Sequence, residues 1–125
     1  MVTQPDVRAI QLVKATIATG IDVLCRYLNL KKEDLKRVFL AGAFGNYVDP
    51  QSARIIGMYP NVPLRNVRFI GNAAGIGAKL ALISREVRRE AEELSKKIEF
   101  IPISSFPNFQ EIFLSNLNFP RKFLS

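Results

Sequence analysis

Apolar side chains at Val7, Ile10, Val13, Ile17, Ile21, Leu24 and Leu28 recur every three or four residues, which predicts a long amphipathic helix from about 4 to 28. Thr3 and Asp6 supply a capping-box-like start. Gly20 interrupts the helix at a cost of about 1 kcal/mol relative to alanine, which suggests close packing of another element there. A short apolar run from Arg37 to Ala41, closed by Gly42, predicts a buried parallel strand. Asp49-Pro50 gives an N-cap with proline at the first helical position, and Gly57 supplies the stop, so 50–56 is a short helix. Met58 to Asn66, with Pro60 and Pro63, is a loop, and Val67 to Ile70 is a second strand. Asn72 then caps a long helix with a buried stripe of Ile76, Leu80, Ile83, Val87, Leu94 and Ile98. Phe100 to Ile103 is a third strand by composition, and Phe109, Ile112, Phe113 and Leu117 make a final helix that Phe119-Pro120 ends.

This order predicts an α/β fold: a small parallel sheet of about three strands with right-handed crossovers and helices on its faces. Ligands of such sheets sit beyond the carboxyl ends of the strands. Two glycine-bearing turns fall there, Ala41-Gly42-Ala43-Phe44-Gly45-Asn46 and Ile70-Gly71-Asn72-Ala73-Ala74. Glycine lets backbone approach a ligand closely, and the following helix offers N–H groups to a phosphate or ribose. Neither turn fits G-x-G-x-x-G or the Walker pattern. A purely structural reading stands beside the functional one, because any strand-to-helix turn can need glycine, and Gly75 and Gly77 can serve only to admit a neighbouring element.

With 125 residues and 48% apolar content the chain is expected to be one globular domain, residues 1–125. No apolar run approaches the roughly 20 residues of a membrane span, and the start has no leader pattern, so a cytoplasmic location is expected. Cys25 is the one cysteine, which excludes an internal disulfide and a cysteine-ligated cluster within this chain, and its place on the apolar stripe reads as a buried, inert thiol. There is no histidine, so the commonest general base and metal ligand are both missing, and no catalytic or metal-ligating residue is assigned. The net charge of +7 favours phosphates, nucleic acid or an acidic partner. However, the densest charged stretch, Arg85 to Lys97, pairs Arg89 with Glu93, Glu92 with Lys96 and Glu93 with Lys97 at i, i+4 spacing. That pattern marks a solvated helix face and disfavours nucleic-acid binding.

Lys36-Arg37-Val38-Phe39-Leu40-Ala41-Gly42-Ala43-Phe44-Gly45 and Gly71-Asn72-Ala73-Ala74-Gly75-Ile76-Gly77-Ala78 resemble the last subdomain of the superfamily of sugar kinases, heat-shock chaperones and actin. More narrowly, Thr3-Gln4-Pro5-Asp6-Val7-Arg8-Ala9-Ile10-Gln11-Leu12-Val13-Lys14-Ala15, Ala41-Gly42-Ala43-Phe44-Gly45-Asn46-Tyr47, Ile56-Gly57-Met58-Tyr59-Pro60 and Phe69-Ile70-Gly71-Asn72-Ala73-Ala74 resemble the C-terminal region of the reductive activators of corrinoid proteins. The resemblance implies a full-length protein that couples hydrolysis of ATP, with magnesium, to low-potential electron delivery onto a corrinoid cobalt, with an iron–sulfur domain at its N-terminus. This chain has no cysteine cluster, hence no iron–sulfur centre of its own, and lacks the segments that would carry the phosphate-binding hairpins and catalytic carboxylates. It is therefore expected to be the C-terminal adenosine-binding half of an actin-like ATPase domain, either a fragment of a longer protein or a chain that works with another, and not catalytic alone.

On that resemblance Gly42, Ala43, Phe44 and Gly45 carry the adenosine contact, and Gly71, Asn72 and Ala73 line the neighbouring turn. Gly42-Ala43 stands where a typical adenosine motif has two glycines. Phe44 either stacks on the base or plugs the core, and Asn46 and Asn72 either bond ribose or cap their helices. Asp49 is an N-cap or a metal ligand, and Lys14 a solvated helix residue or a phosphate contact. Expected partners are a nucleotide, a second copy or complementary ATPase half, and a corrinoid protein, with no membrane. The alternatives are a non-enzymatic interaction module with a vestigial cleft and a small basic nucleic-acid binder. Phenylalanines at 106, 109, 113, 119 and 123 carry more apolar surface than one short terminal helix readily hides, which points to association.

Overall fold

The computed structural model describes residues 1–121, apart from the side chains of Ala43, Phe44 and Asn46; Phe123 lies outside the described residues. In chain order the elements are α1 (Gln4–Tyr27), β1 (Val38–Ala41), α2 (Gly42–Tyr47), α3 (Pro50–Ile55), β2 (Val67–Gly71), α4 (Ala73–Ile83), α5 (Arg85–Ser95) and α6 (Phe109–Leu117). Single 3-10 turns occur at Lys32–Asp34, Leu64–Asn66 and Ile103–Ser105. The chain divides into two compact units, one of residues 1–38, 49–67 and 102 onward, the other of residues 39–48 and 68–101.

In the first unit α1 packs against α6 and the 3-10 turn at Ile103–Ser105. Its start is a full capping box, with Thr3 and Asp6 each bonding the other's backbone N–H. It ends with Asn29 at φ 54°, where the N–H groups of Asn29 and Leu30 bond the carbonyls of Arg26 and Cys25, a Schellman closure. Asp49 caps α3, its carboxylate accepting from Ser52 N–H at 2.7 Å and Ser52 Oγ at 2.6 Å, and Gly57 at φ 78° stops it. The Tyr59 hydroxyl donates to the Pro50 carbonyl, tying the following loop back onto α3.

The face that α1 buries is not the large apolar stripe. Lys14, Ala15, Ala18, Thr19, Val23 and Cys25 are buried, whereas Ile10, Val13, Leu24 and Leu28 remain 40–59% exposed. The physical reason is that Ala15, Ala18 and Thr19 are small enough for α6 to approach closely, and the polar groups on that face find partners on α6. The terminal phenylalanines also behave differently from expectation. Phe106, Phe109, Phe113 and Phe119 are half-buried because α6 folds back on α1, and Phe109 and Phe113 stack with centroids 6.1 Å apart.

In the second unit β1 and β2 are adjacent in a parallel sheet, and the described residues form two strands, not three. Phe100 to Ile103 is not a strand: Pro102 has no N–H for a ladder, and Ile103 begins a 3-10 turn instead. The single long helix expected after Asn72 is two. Ser84 is extended (φ −127°, ψ 121°) and its hydroxyl accepts from Val87 N–H at 3.3 Å, so it caps α5, while Arg88 Nε donates to the Ala81 carbonyl at 3.1 Å. Serine competes for backbone groups in this way and favours caps over helix interiors. The stripe expected to be buried is largely open: Ile76, Leu80, Ile83, Leu94 and Ile98 are 44–71% exposed.

Candidate functional site

Because β1 and β2 are parallel neighbours, their carboxyl ends lie at the same edge of the sheet, where Gly42 follows β1 at φ 80° and Gly71 closes β2 at φ 60°, both in left-handed backbone. An L side chain rarely adopts that conformation, so glycine is required by the turn itself. Beyond its own chain neighbours and helix backbone, a Cβ at either position would meet no atom within 4 Å among the described residues. The two turns thus present bare backbone toward open space, a surface that a flat ligand group can approach closely.

The helices that follow differ. At the start of α2, Ala41 has no capping side chain, whereas Asn72 accepts from Gly75 N–H at 3.0 Å and caps α4. A Cβ on Gly75 would lie 2.6 Å from Asn72 Nδ2, which explains that glycine as space for the cap. Gly45 is buried, and a Cβ there would lie 3.2 Å from both the Leu40 carbonyl oxygen and Phe69 Cδ1, so this glycine lets α2 sit tightly on the sheet. Among the described residues nothing outside its own chain neighbours and helix backbone lies within 4 Å of a Cβ on Gly77, so no described element packs close to it. Ala73 opens α4 and is half-buried. The turn therefore brings Gly42, Gly71, Asn72 and Ala73 to one edge; Ala43, Phe44 and Asn46 contribute backbone in α2, and their side chains lie outside the described residues.

Lys14 is not a solvated helix residue: it is 2% exposed. Its Nζ donates to the Asn118 carbonyl at 2.6 Å and lies 5.8 Å from the centre of the Phe119 ring, while Gln11 Nε2 donates to the Leu117 carbonyl at 3.1 Å. Two side chains of α1 thus satisfy carbonyls at the C-terminal end of α6 that have no partner within that helix. Burial, and then the charge of Lys32, hold the Lys14 pKa below the usual lysine value. The spacing of polar residues on α1 gave no warning, since Lys14 beside Val13 and Ala15 has the look of an ordinary solvated position. Asp49, the other residue with two readings, is a helix cap, and no group of three metal-ligating side chains comes together among the described residues.

The fold is α/β, a small parallel sheet with helices and glycine turns at adjacent strand ends. The family model for the C-terminal domain of RACo, the ASKHA domain, matches residues 1–125, and the chain belongs to that family. A solved reductive activator for corrinoid, iron–sulfur protein superposes with a TM-score of 0.85 at 29% identity, over 95% of this chain and 19% of that one. Among curated proteins, the corrinoid activation enzyme RamQ of Eubacterium limosum is 40% identical over 119 residues, 95% of this chain and 20% of the relative. The [Co(II) methylated amine-specific corrinoid protein] reductase of Methanosarcina barkeri is 26% identical over 120 residues, 94% of this chain and 22% of the relative. The chain spans about a fifth of the length of these relatives.

Proposed function

We propose that this chain is the nucleotide-contacting C-terminal portion of an ATP-dependent reductive activator of a corrinoid protein. The family and the names of the relatives support the corrinoid role, and the paired glycine turns support the nucleotide role. The carrying observation is that Gly42 and Gly71, on adjacent parallel strands, both adopt positive φ and face open space. The residues fit a ligand that lies against backbone: adenosine would rest on Gly42 to Gly45 and be flanked by Gly71, Asn72 and Ala73. ATP, with magnesium, would supply the free energy for reduction of the cobalt, and the present residues would bind and orient the nucleoside end. The phosphates would be gripped by a second copy or a complementary ATPase half, and the iron–sulfur electrons would come from outside this chain. A cytoplasmic location belongs to the same proposal; no helix of the described residues is long and apolar enough to cross a membrane.

The test is calorimetry with ATP and ADP on the 125-residue chain and on Gly42→Asn. Asparagine tolerates left-handed backbone, so the fold should survive while its side chain fills the space before the turn. Weak binding by the parent and none by the variant is expected. No nucleotide heat at millimolar ligand would replace the proposal with an interaction module whose cleft is vestigial.

A further inference from the structure

We propose that the first unit holds a second ligand site, for a small organic anion carrying a phosphate or carboxylate group, in a cavity of about 800 Å³ walled by α1, the loop after α3 and the segment that follows α6. Its lining residues all belong to the first unit, whereas the glycine turns belong to the second. Its volume is in the range of drug-sized ligand pockets, which is roughly 300–1,000 Å³.

The charges on its wall do not cancel. Lys14, Lys32, Lys36 and Arg121 face it, against Asp22 and Glu33. Asp22 is already committed, since its carboxylate lies 2.7 Å from Lys32 Nζ and also accepts from Asn116 Nδ2 at 2.9 Å. That leaves Lys14, Lys36 and Arg121 with only Glu33 to balance them.

Lys14 makes the imbalance costly. An ammonium has three N–H donors, and among the described residues Nζ bonds a single oxygen, the Asn118 carbonyl, although the side chain is 2% exposed. The Phe119 ring adds a cation–π contact at 5.8 Å, but Nζ makes no ion pair among the described residues, and a buried cation is destabilising unless something neutralises it. Capping α6 accounts for one donor of Lys14 but not for two further cations on the same wall. An anionic group inside the cavity would accept the spare donors and offset the repulsion between Lys14 and Lys32 that helps depress the Lys14 pKa. The site is tightly built on the Gly57 side: a Cβ there would lie 2.8 Å from Pro120 Cγ and 3.7 Å from Lys14 Nζ, so the loop is drawn close around the cation. Val62 and Phe119 offer apolar wall for the uncharged body of the ligand. The enclosure of the deepest cation favours a small molecule over an extended polyanion, whose charges would stay at the rim.

Calorimetry of the 125-residue chain with inorganic pyrophosphate and with citrate, at constant ionic strength, tests this. One saturable site is expected for at least one of the two, and the preferred anion tells a phosphate ligand from a carboxylate one. Lys36→Gln and Arg121→Gln, whose circular dichroism should match the parent, should each weaken binding about tenfold, the loss of one charge-assisted hydrogen bond. Lys14→Met should abolish it; if that variant fails to fold, the two glutamine variants decide. Absence of saturable heat at millimolar anion, or unchanged affinity in both glutamine variants, overturns the proposal.

Discussion

At Cys25 the helix α1 places a thiol among packed side chains, 6% exposed. Burial pushes its pKa up, and the nearby Asp22 carboxylate adds to the effect, so the thiolate that reacts with electrophiles is disfavoured at neutral pH. Native protein at pH 8 should therefore react with a disulfide reagent far more slowly than protein in denaturant; equal rates would mean that the packing around Cys25 opens freely. Lys14, eleven residues earlier on the same helix, is also buried, yet as a cation it depends on the Asn118 carbonyl and the Phe119 ring for company. The two residues show opposite consequences of burial: desolvation makes the thiol inert and leaves the ammonium in need of an acceptor.

Among the elements, α1 and α3 carry separable terms. A Cβ on Gly20 would lie 3.7 Å from Ile103 Cδ1, ordinary van der Waals contact, so the element that Gly20 admits leaves room for a methyl group. Gly20→Ala should then stabilise the chain by about 0.5–1 kcal/mol through helix propensity and a less flexible unfolded state, read as a higher urea midpoint. A loss of stability would mean that α1 and the Ile103 turn sit closer in solution. For α3, the bonds from Ser52 Oγ and then Ser52 N–H hold the Asp49 carboxyl below its ordinary 3.8. A depressed folded-state pKa contributes stability that is present above 3.8 and lost as pH falls through the folded value below it. The difference in urea midpoint between the parent and Asp49→Asn should therefore be constant near neutral pH and shrink below 3.8. A constant difference at every pH would show that the charge of the cap is irrelevant.

For the whole molecule the distribution of burial matters most. The buried apolar side chains among the described residues, from Ala15 to Ile112, all belong to the first unit, while the second leaves Phe39, Leu82, Ile83, Leu94 and Phe100 54–86% exposed. Apolar surface of this extent marks contact surfaces on soluble proteins. Sedimentation at micromolar concentration should give a mass above 14.1 kDa, with the association lost on adding charges at Leu82 and Ile83. A monomer that binds no apolar dye would remove the need for a second copy or complementary half. The terminal phenylalanines are half-buried where α6 packs on α1, and the most exposed large apolar side chains of the second unit include Leu82 and Ile83 on α4 and Leu94 on α5.

The sequence by itself determined the caps and stops of α1, α3 and α4, but not the break at Ser84 or the absence of a strand at Phe100 to Ile103. Thr3 with Asp6, Asp49-Pro50, Gly57 and Asn72 act through bonds within a few residues, so each cap and stop could be read without knowing the fold. The glycine turns at Gly42 and Gly71 were legible for the same reason, since positive φ is a property of one residue. What only the tertiary structure decided was which face of each helix is covered. Periodicity on α1 marks the large apolar side chains, but close approach of α6 selects the small ones, and Lys14 is buried because an acceptor 104 positions away in the chain comes to meet it. Likewise the stripe on α4 and α5 is apolar in the sequence yet exposed in the fold, because burial depends on a partner surface, and no spacing along a chain records whether one arrives.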